Sequence, residues 1–196
     1  METTKQNNNI EDKIIDCIDS RISSLGYEVV AIETQKSHQR ILRVFIDFIE
    51  SNPSRAIGIE DCVKATRAID EPLDDISEVQ ELFKGPYELE VSSPGLNRPL
   101  KKEKDFIRFQ GERAKIHVYR SLSAEELNDD EYYNHHSKQK IFLGILEGFE
   151  NKNIKLKIEK EKKQPEANLQ IPLQLISKAY LDPIIDFSQK KKGSSI

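Results

Sequence analysis

Leu89-Glu90-Val91-Ser92-Ser93-Pro94-Gly95-Leu96-Asn97-Arg98-Pro99-Leu100 divides the chain, because helices and strands alternate before it and strands predominate after it. Tyr87, Leu89 and Val91 alternate with Glu88 and Glu90, the period-two pattern of a half-buried strand. Pro94-Gly95 suits the centre of a type II turn, since proline presets the first torsion and glycine accepts positive φ at the second. Ser93 and Arg98 each precede a proline and are biased toward extended backbone. The expected product is a stiff hinge between an N-terminal domain over residues 1–98 and a C-terminal domain over 99–187.

Upstream of this segment, Ile10, Ile14, Ile18, Ile22 and Leu25 fall on one helical stripe that Gly26 ends. Residues 1–9 are expected to be disordered. Tyr27 to Glu33 and Ile41 to Ile49 read as a hairpin; Leu42, Val44, Ile46 and Phe48 share one face of its second strand, and Arg43 and Asp47 the other. A second helix is predicted from Gly58 to about Asp74 on Ile59, Cys62 or Val63, Thr66, Ile69 and Leu73. The first domain is thus α-β-β-α-β, two helices covering one face of a three-stranded sheet.

Downstream, a short helix is expected around Lys102 to Phe109. Strands follow at Ala114 to Tyr119, Lys140 to Phe149, Asn153 to Ile158 and Leu169 to Leu173, a spacing that predicts a small barrel. Residues 121–138 read as a flexible or partly helical polar excursion, and 188–196 as a disordered tail.

Net charge is −4, unevenly placed: residues 1–98 carry 11 Lys+Arg against 19 Asp+Glu, and residues 99–196 carry 19 against 15. An acidic half favours a basic protein partner and a basic half favours nucleic acid. The apolar run from Ile41 to Ile49 is broken by Arg43 and Asp47, so no membrane span is expected. No basic leader or apolar stretch precedes Ile10, which points to a cytoplasmic protein. Cys17 and Cys62 lie in helical patterns and are expected to be small buried side chains rather than a disulfide. A monomer is the default expectation, because no large exposed apolar strip is evident.

Little here calls for catalysis. Ser92 and Ser93 lack the flanking glycines of a nucleophile elbow, and the first half has one histidine, His38. His135-His136 are adjacent and cannot chelate as a helical pair, and no phosphate-binding glycine loop, Cys-x-x-Cys or His-Glu-x-x-His run occurs. No catalytic residue, metal or cofactor is expected. The candidate sites are binding sites. Arg43, Asp47, Glu88 and Glu90 make a charged sheet face, either simply solvated or a docking surface for a basic protein. Arg98 clamps an acidic partner or phosphate, or pins the turn to a carboxylate. Lys152, Lys155 and Lys157, with Lys160, Lys162 and Lys163 beyond them, are candidate RNA contacts that alternate with Glu159 and Glu161.

The 89–100 segment resembles the signature of the RimP family, LEVSSPGL-(D/N)-RPL followed by a lysine-rich stretch and Asp-Phe, here Lys101-Lys102-Glu103-Lys104-Asp105-Phe106. Leu25-Gly26-Tyr27-Glu28, Leu42 to Asp47, Gly58 to Cys62 and Leu73-Asp74 extend the likeness over about residues 10–185. Asn97 stands where aspartate is more usual, and Thr66-Arg67 where Ser-Arg is common. Glu50 to Ile57 and Asp75 to Gly85 read as longer loops than the family has. The resemblance makes Ser92, Ser93, Pro94, Gly95, Arg98 and Pro99 the signature residues. It implies a KH-like or ferredoxin-like domain followed by an SH3-like or Sm-like β-barrel, and non-catalytic late maturation of the 30S small ribosomal subunit. The implied partners are the immature subunit, its protein at the decoding centre and the nearby RNA. The rival readings are a general Sm-like RNA-binding regulator and a hydrolase built on Ser92 or Ser93.

Overall fold

The computed structural model describes residues 2–36, 39–49, 56–159 and 166–184, with backbone alone for 2–9. His38, residues 50–55 of the loop read as long, Lys160 to Lys163 and the tail 188–196 lie outside the described residues. The chain divides into two units, Met1–Gly95 and Leu96–Ile196. The division precedes the expected boundary at Arg98, because the Arg98 carbonyl accepts from the Leu181 amide at 2.9 Å and so belongs to the second unit.

In the first unit, α1 (Glu2–Ser24) is followed by β1 (Tyr27–Gln35), β2 (Ile41–Phe48), α2 (Ile59–Asp74), α3 (Ser77–Phe83) and β3 (Glu88–Ser92). Helix α1 starts eight residues before Ile10, which corrects the expectation of disorder over 1–9. No glycine or proline interrupts residues 2–9, and each residue added to an existing helix closes one hydrogen bond. Gly26 ends the helix at φ +84. Ile14, Ile18 and Ile22 are fully buried, whereas Leu25 is exposed. Cys17 is exposed and Cys62 half-buried, against expectation, because both lie on the flanks of their helices' buried stripes.

The buried line of α2 is Asp61, Ala65, Ile69 and Leu73, while Ile59 and Val63 face solvent. The predicted stripe was displaced at its start because a carboxylate takes an inward position. Asp61 can do so because Tyr27 Oη donates to it at 2.6 Å and the Gly58 amide at 2.9 Å. The hydrogen bond from Tyr27 fastens the start of β1 to the first turn of α2. Residues 75–85 are not the long loop expected, since α3 occupies them and inserts Val79 and Phe83 into the core. Lys84, at φ 49, terminates it with its amide on Gln80 O.

The sheet order is β1-β2-β3, with β1 antiparallel and β3 parallel to the central β2. Parallel pairing requires a crossover, and α2 with α3 supplies it. Leu42, Val44 and Ile46 of β2 are fully buried and cluster with Ile14, Ile18 and Ile22 of α1 and Ile69 and Leu73 of α2.

The second unit contains α4 (Glu103–Arg108), β4 (Arg113–Val118), α5 (Ala124–Leu127), α6 (Asp130–His136), β5 (Ile141–Glu150), β6 (Asn153–Ile158) and β7 (Ala167–Pro172). A 3-10 turn, Leu173–Leu175, leads into β8 (Ile176–Leu181), a strand the sequence pattern did not reveal. All pairs are antiparallel in the order β7-β6-β5-β4-β8. The expected barrel is not closed: β7 and β8 end the sheet, and no pairing joins them among the described residues. Asn151 and Lys152, at φ 51 and 64, make the tight corner between β5 and β6, as two-residue hairpins require. Gly144 lies against the Lys157 carbonyl of β6, where a Cβ would collide with backbone.

Residues 121–138 contribute three side chains to the core. Leu122, Leu127 and Tyr132 are buried with Phe106, Phe142, Leu156 and Leu169, so this polar-looking segment covers the apolar side of the sheet.

Candidate functional site

The signature turn is built by a buried ion pair. Arg98 is 4% exposed; its Nη1 donates to Pro99 O at 3.1 Å and to Asp105 Oδ1 at 3.3 Å, and its guanidinium lies 4.7 Å from the centre of the Phe109 ring. Asp105, 6% exposed, accepts through Oδ2 from the amides of Lys101 at 2.9 Å and Lys102 at 2.8 Å. One carboxylate thus caps α4 and holds Arg98, giving the buried charge the several partners it needs. The strand-like run continues as the Leu100 amide donates to Ala179 O at 2.9 Å and Pro99 bridges Tyr180. Gly95, at φ +69, has the torsion expected of the turn's second position. Ser92, at the end of β3, donates its hydroxyl to Ser93 O at 3.2 Å, and both serines are half-buried.

On the sheet of the first unit, Arg43 is brought onto Glu90. Nε and Nη2 approach Glu90 Oε2 at 2.7 and 2.6 Å, and Nη1 approaches Glu33 Oε2 at 3.4 Å. The hydrogen bond to Glu90 raises the arginine pKa further above its ordinary value. The register sets Glu33, Arg43 and Glu90 in one row across the three strands and pairs Asp47 with Glu28 in another. Glu88 starts β3, opposite Ile41 and exposed. Parity along the strands reveals the shared face; Glu33 and Glu28 join it only through the cross-strand register. A cleft of about 540 Å³ opens beside this row, lined by Glu11, Glu33, Gln35, Lys36, Ile41 and Arg43.

The three lysines read as RNA contacts lie on or beside β6. Lys155 is ion-paired with Glu150 and Lys157 with Glu166 at 3.1 Å, while Lys152 occupies the tight corner. A different basic set stands on β4 and β8. Lys115 and His117 point away from buried Ala114, Ile116 and Val118, and Lys178 and Tyr180 flank buried Ala179. The period-two run Lys115-x-His117-x-Tyr119 carries this signal in the sequence.

The excursion begins with its own charge pair. Arg120 Nη1 and Nη2 grip both Glu126 oxygens at 2.7 and 2.6 Å, the Ser123 amide donates to Glu126 Oε2 at 2.9 Å, and the Glu126 amide returns to Ser123 Oγ at 3.3 Å. The guanidinium, then the Ser123 amide, hold the Glu126 carboxyl at about 2. Such a depressed acid contributes stability in full above the ordinary glutamate range and loses it as pH falls from about 4.5 to about 2. A carbon-detected NMR titration is expected to show that low midpoint, and Arg120→Ala is expected to return it toward 4.5. An unshifted midpoint in the parent chain would rule out the bidentate pair. His135 and His136 follow on α6, and no group of three or more His, Cys, Asp or Glu placed to hold a metal occurs among the described residues. No helix among them is long and apolar enough to cross a membrane.

The architecture is that of an α+β unit with a parallel edge strand, followed by an antiparallel β unit whose entry is locked by Arg98 and Asp105. Residues 17–97 match the family model of the RimP N-terminal domain.

Proposed function

We propose that this chain acts in the cytoplasm in late maturation of the 30S small ribosomal subunit, by binding and without catalysing a reaction. The match of residues 17–97 to the RimP N-terminal domain carries the reading. The charge division supports it: an acidic first unit complements a basic ribosomal protein, here the one at the decoding centre, and the basic second half complements RNA. In this reading the first unit is KH-like, and the second is an SH3-like module that docks as a monomer. The Glu33-Arg43-Glu90 row, with Asp47 and Glu88, is the proposed protein-docking face.

A factor that binds can favour maturation only through higher affinity for immature than for mature particles. In a sucrose gradient of a growing-cell lysate, the tagged chain is expected among small-subunit precursors and absent from complete ribosomes. A chain found only in the free fractions, or bound equally to mature subunits, overturns the proposal. Tight salt-sensitive binding to free RNA without precursor association would favour the Sm-like regulator instead.

A further inference from the structure

We propose that the outward face of β4 and β8, carrying Lys115, His117, Lys178 and Tyr180, is a contact surface for single-stranded or looped RNA. The inference rests on the reading above, that the chain binds immature subunits, and it names the surface that meets their RNA.

The placement comes from the register. His117 pairs with Lys178 and Lys115 with Tyr180, so two cations and two rings form a compact quartet on adjacent strands. The His117 and Tyr180 rings meet edge to face, with centroids 6.3 Å apart. Tyr119, just beyond β4, is 67% exposed and adds a third ring. Lysines next to planar side chains are what an unpaired strand needs, since the ammonium groups neutralise phosphates and the rings stack on bases whatever their sequence.

Neighbouring cations in the same unit are already engaged: Arg113 with Asp182, Lys155 with Glu150 and Lys157 with Glu166. Neither Lys115 nor Lys178 has an ion pair among the described residues. The field at His117 is consistent with this, because burial and then the charges of Lys115 and Lys178 push its imidazole below the ordinary value. At neutral pH His117 is therefore a stacking and hydrogen-bonding group between two cations. The outward residues of β5 beside it, Ile141 and Leu143, bring no carboxylate to the patch. A polyanion meets no repelling charge within this quartet.

The test uses the full chain and a fluorescein-labelled oligouridine about 20 nucleotides long, a length that spans a typical single-strand site. Anisotropy is read over roughly 50 to 200 mM salt, where phosphate contacts report themselves in the salt slope. Lys115→Gln with Lys178→Gln is expected to weaken binding about tenfold and to flatten the slope of log K against log salt by about 1.4, two phosphates at roughly 0.7 each. Lys115→Arg with Lys178→Arg is expected to retain binding, and Tyr180→Ala to lose roughly fivefold or more, the loss of a stacked base. Lys155→Gln with Lys157→Gln, the paired lysines of β6, is expected to stay near the parent. Circular dichroism melting of each variant separates lost contact from lost fold. An unchanged slope in the folded Lys115/Lys178 variant overturns the proposal, as does a parent that binds polyglutamate as well as oligouridine, which would assign the surface to acidic protein. Co-sedimentation with small-subunit precursors is read in parallel. Precursor binding by the parent with no RNA effect in the variant removes this surface alone, whereas failure of the parent to bind precursors removes the reading beneath it.

Discussion

Replacing Arg98 by alanine is expected to destabilise the second unit by about 3–5 kcal/mol, the usual consequence of removing one partner from a buried ion pair. Asp105 would keep the Lys101 and Lys102 amides but lose its countercharge in a site 6% exposed. The Pro99 carbonyl would lose its donor as well, and the Phe109 ring would keep only the Arg108 guanidinium, 5.0 Å from its centre. Arg98→Lys is expected to recover part of the loss, since an ammonium restores the charge but neither the planar stack nor the second donor direction. Urea unfolding followed by amide hydrogen exchange measures the effect unit by unit, which matters because two units need not unfold together. Protection should fall in β4, β5 and β8 and hold in β1 and β2. A loss below about 1 kcal/mol would place the pair in solvent and sink the latch.

Tyr132→Ala is expected to cost about 3–5 kcal/mol, the range for emptying a large aromatic site in a core. Tyr132 is fully buried, its ring lies 4.5 Å from that of His136, and its hydroxyl donates to Gln139 Oε1 at 2.9 Å. Tyr132→Phe separates the two contributions and is expected to cost about 1 kcal/mol for the hydrogen bond. Glu131→Ala, one residue earlier and exposed, should change stability by no more than about 0.5 kcal/mol. Thermal or urea unfolding of the three variants decides the matter. Equal, small effects at positions 131 and 132 would return residues 121–138 to the status of a solvated loop.

That segment shows where the sequence is and is not legible. Ile14, Ile18 and Ile22 announce α1, and the alternation in β2 announces its buried face, because many residues repeat one signal. In 121–138 three anchors, Leu122, Leu127 and Tyr132, are scattered among fifteen mostly polar residues, and composition outweighs them. Helix α3 is hidden similarly: Ile76, Val79 and Phe83 have helical spacing but sit among Asp74, Asp75, Glu78 and Glu81. Strand β8 buries only Ala179 below the level of its neighbours, so it offers no alternation to read. At the candidate sites, strand parity correctly groups Arg43 with Glu90, but Glu33 enters through a register no local pattern encodes. Arg98 is chemically suited to clamp or latch alike, and only the fold sets Asp105, seven positions later, against it.

The parallel pairing of β2 with β3 has a consequence for the order in which the chain is made. Ile41 finds its partner at Glu88, so the sheet cannot be finished by local hairpin closure and must wait for the whole crossover to be synthesised. Until then β2 presents an open edge, the kind of surface on which nascent chains associate wrongly. Completion arrives at Ser92, immediately before the turn that opens the second unit. The first unit is therefore able to mature during translation while the residues of the Arg98 latch are still emerging, and a translational pause after β3 would favour its folding.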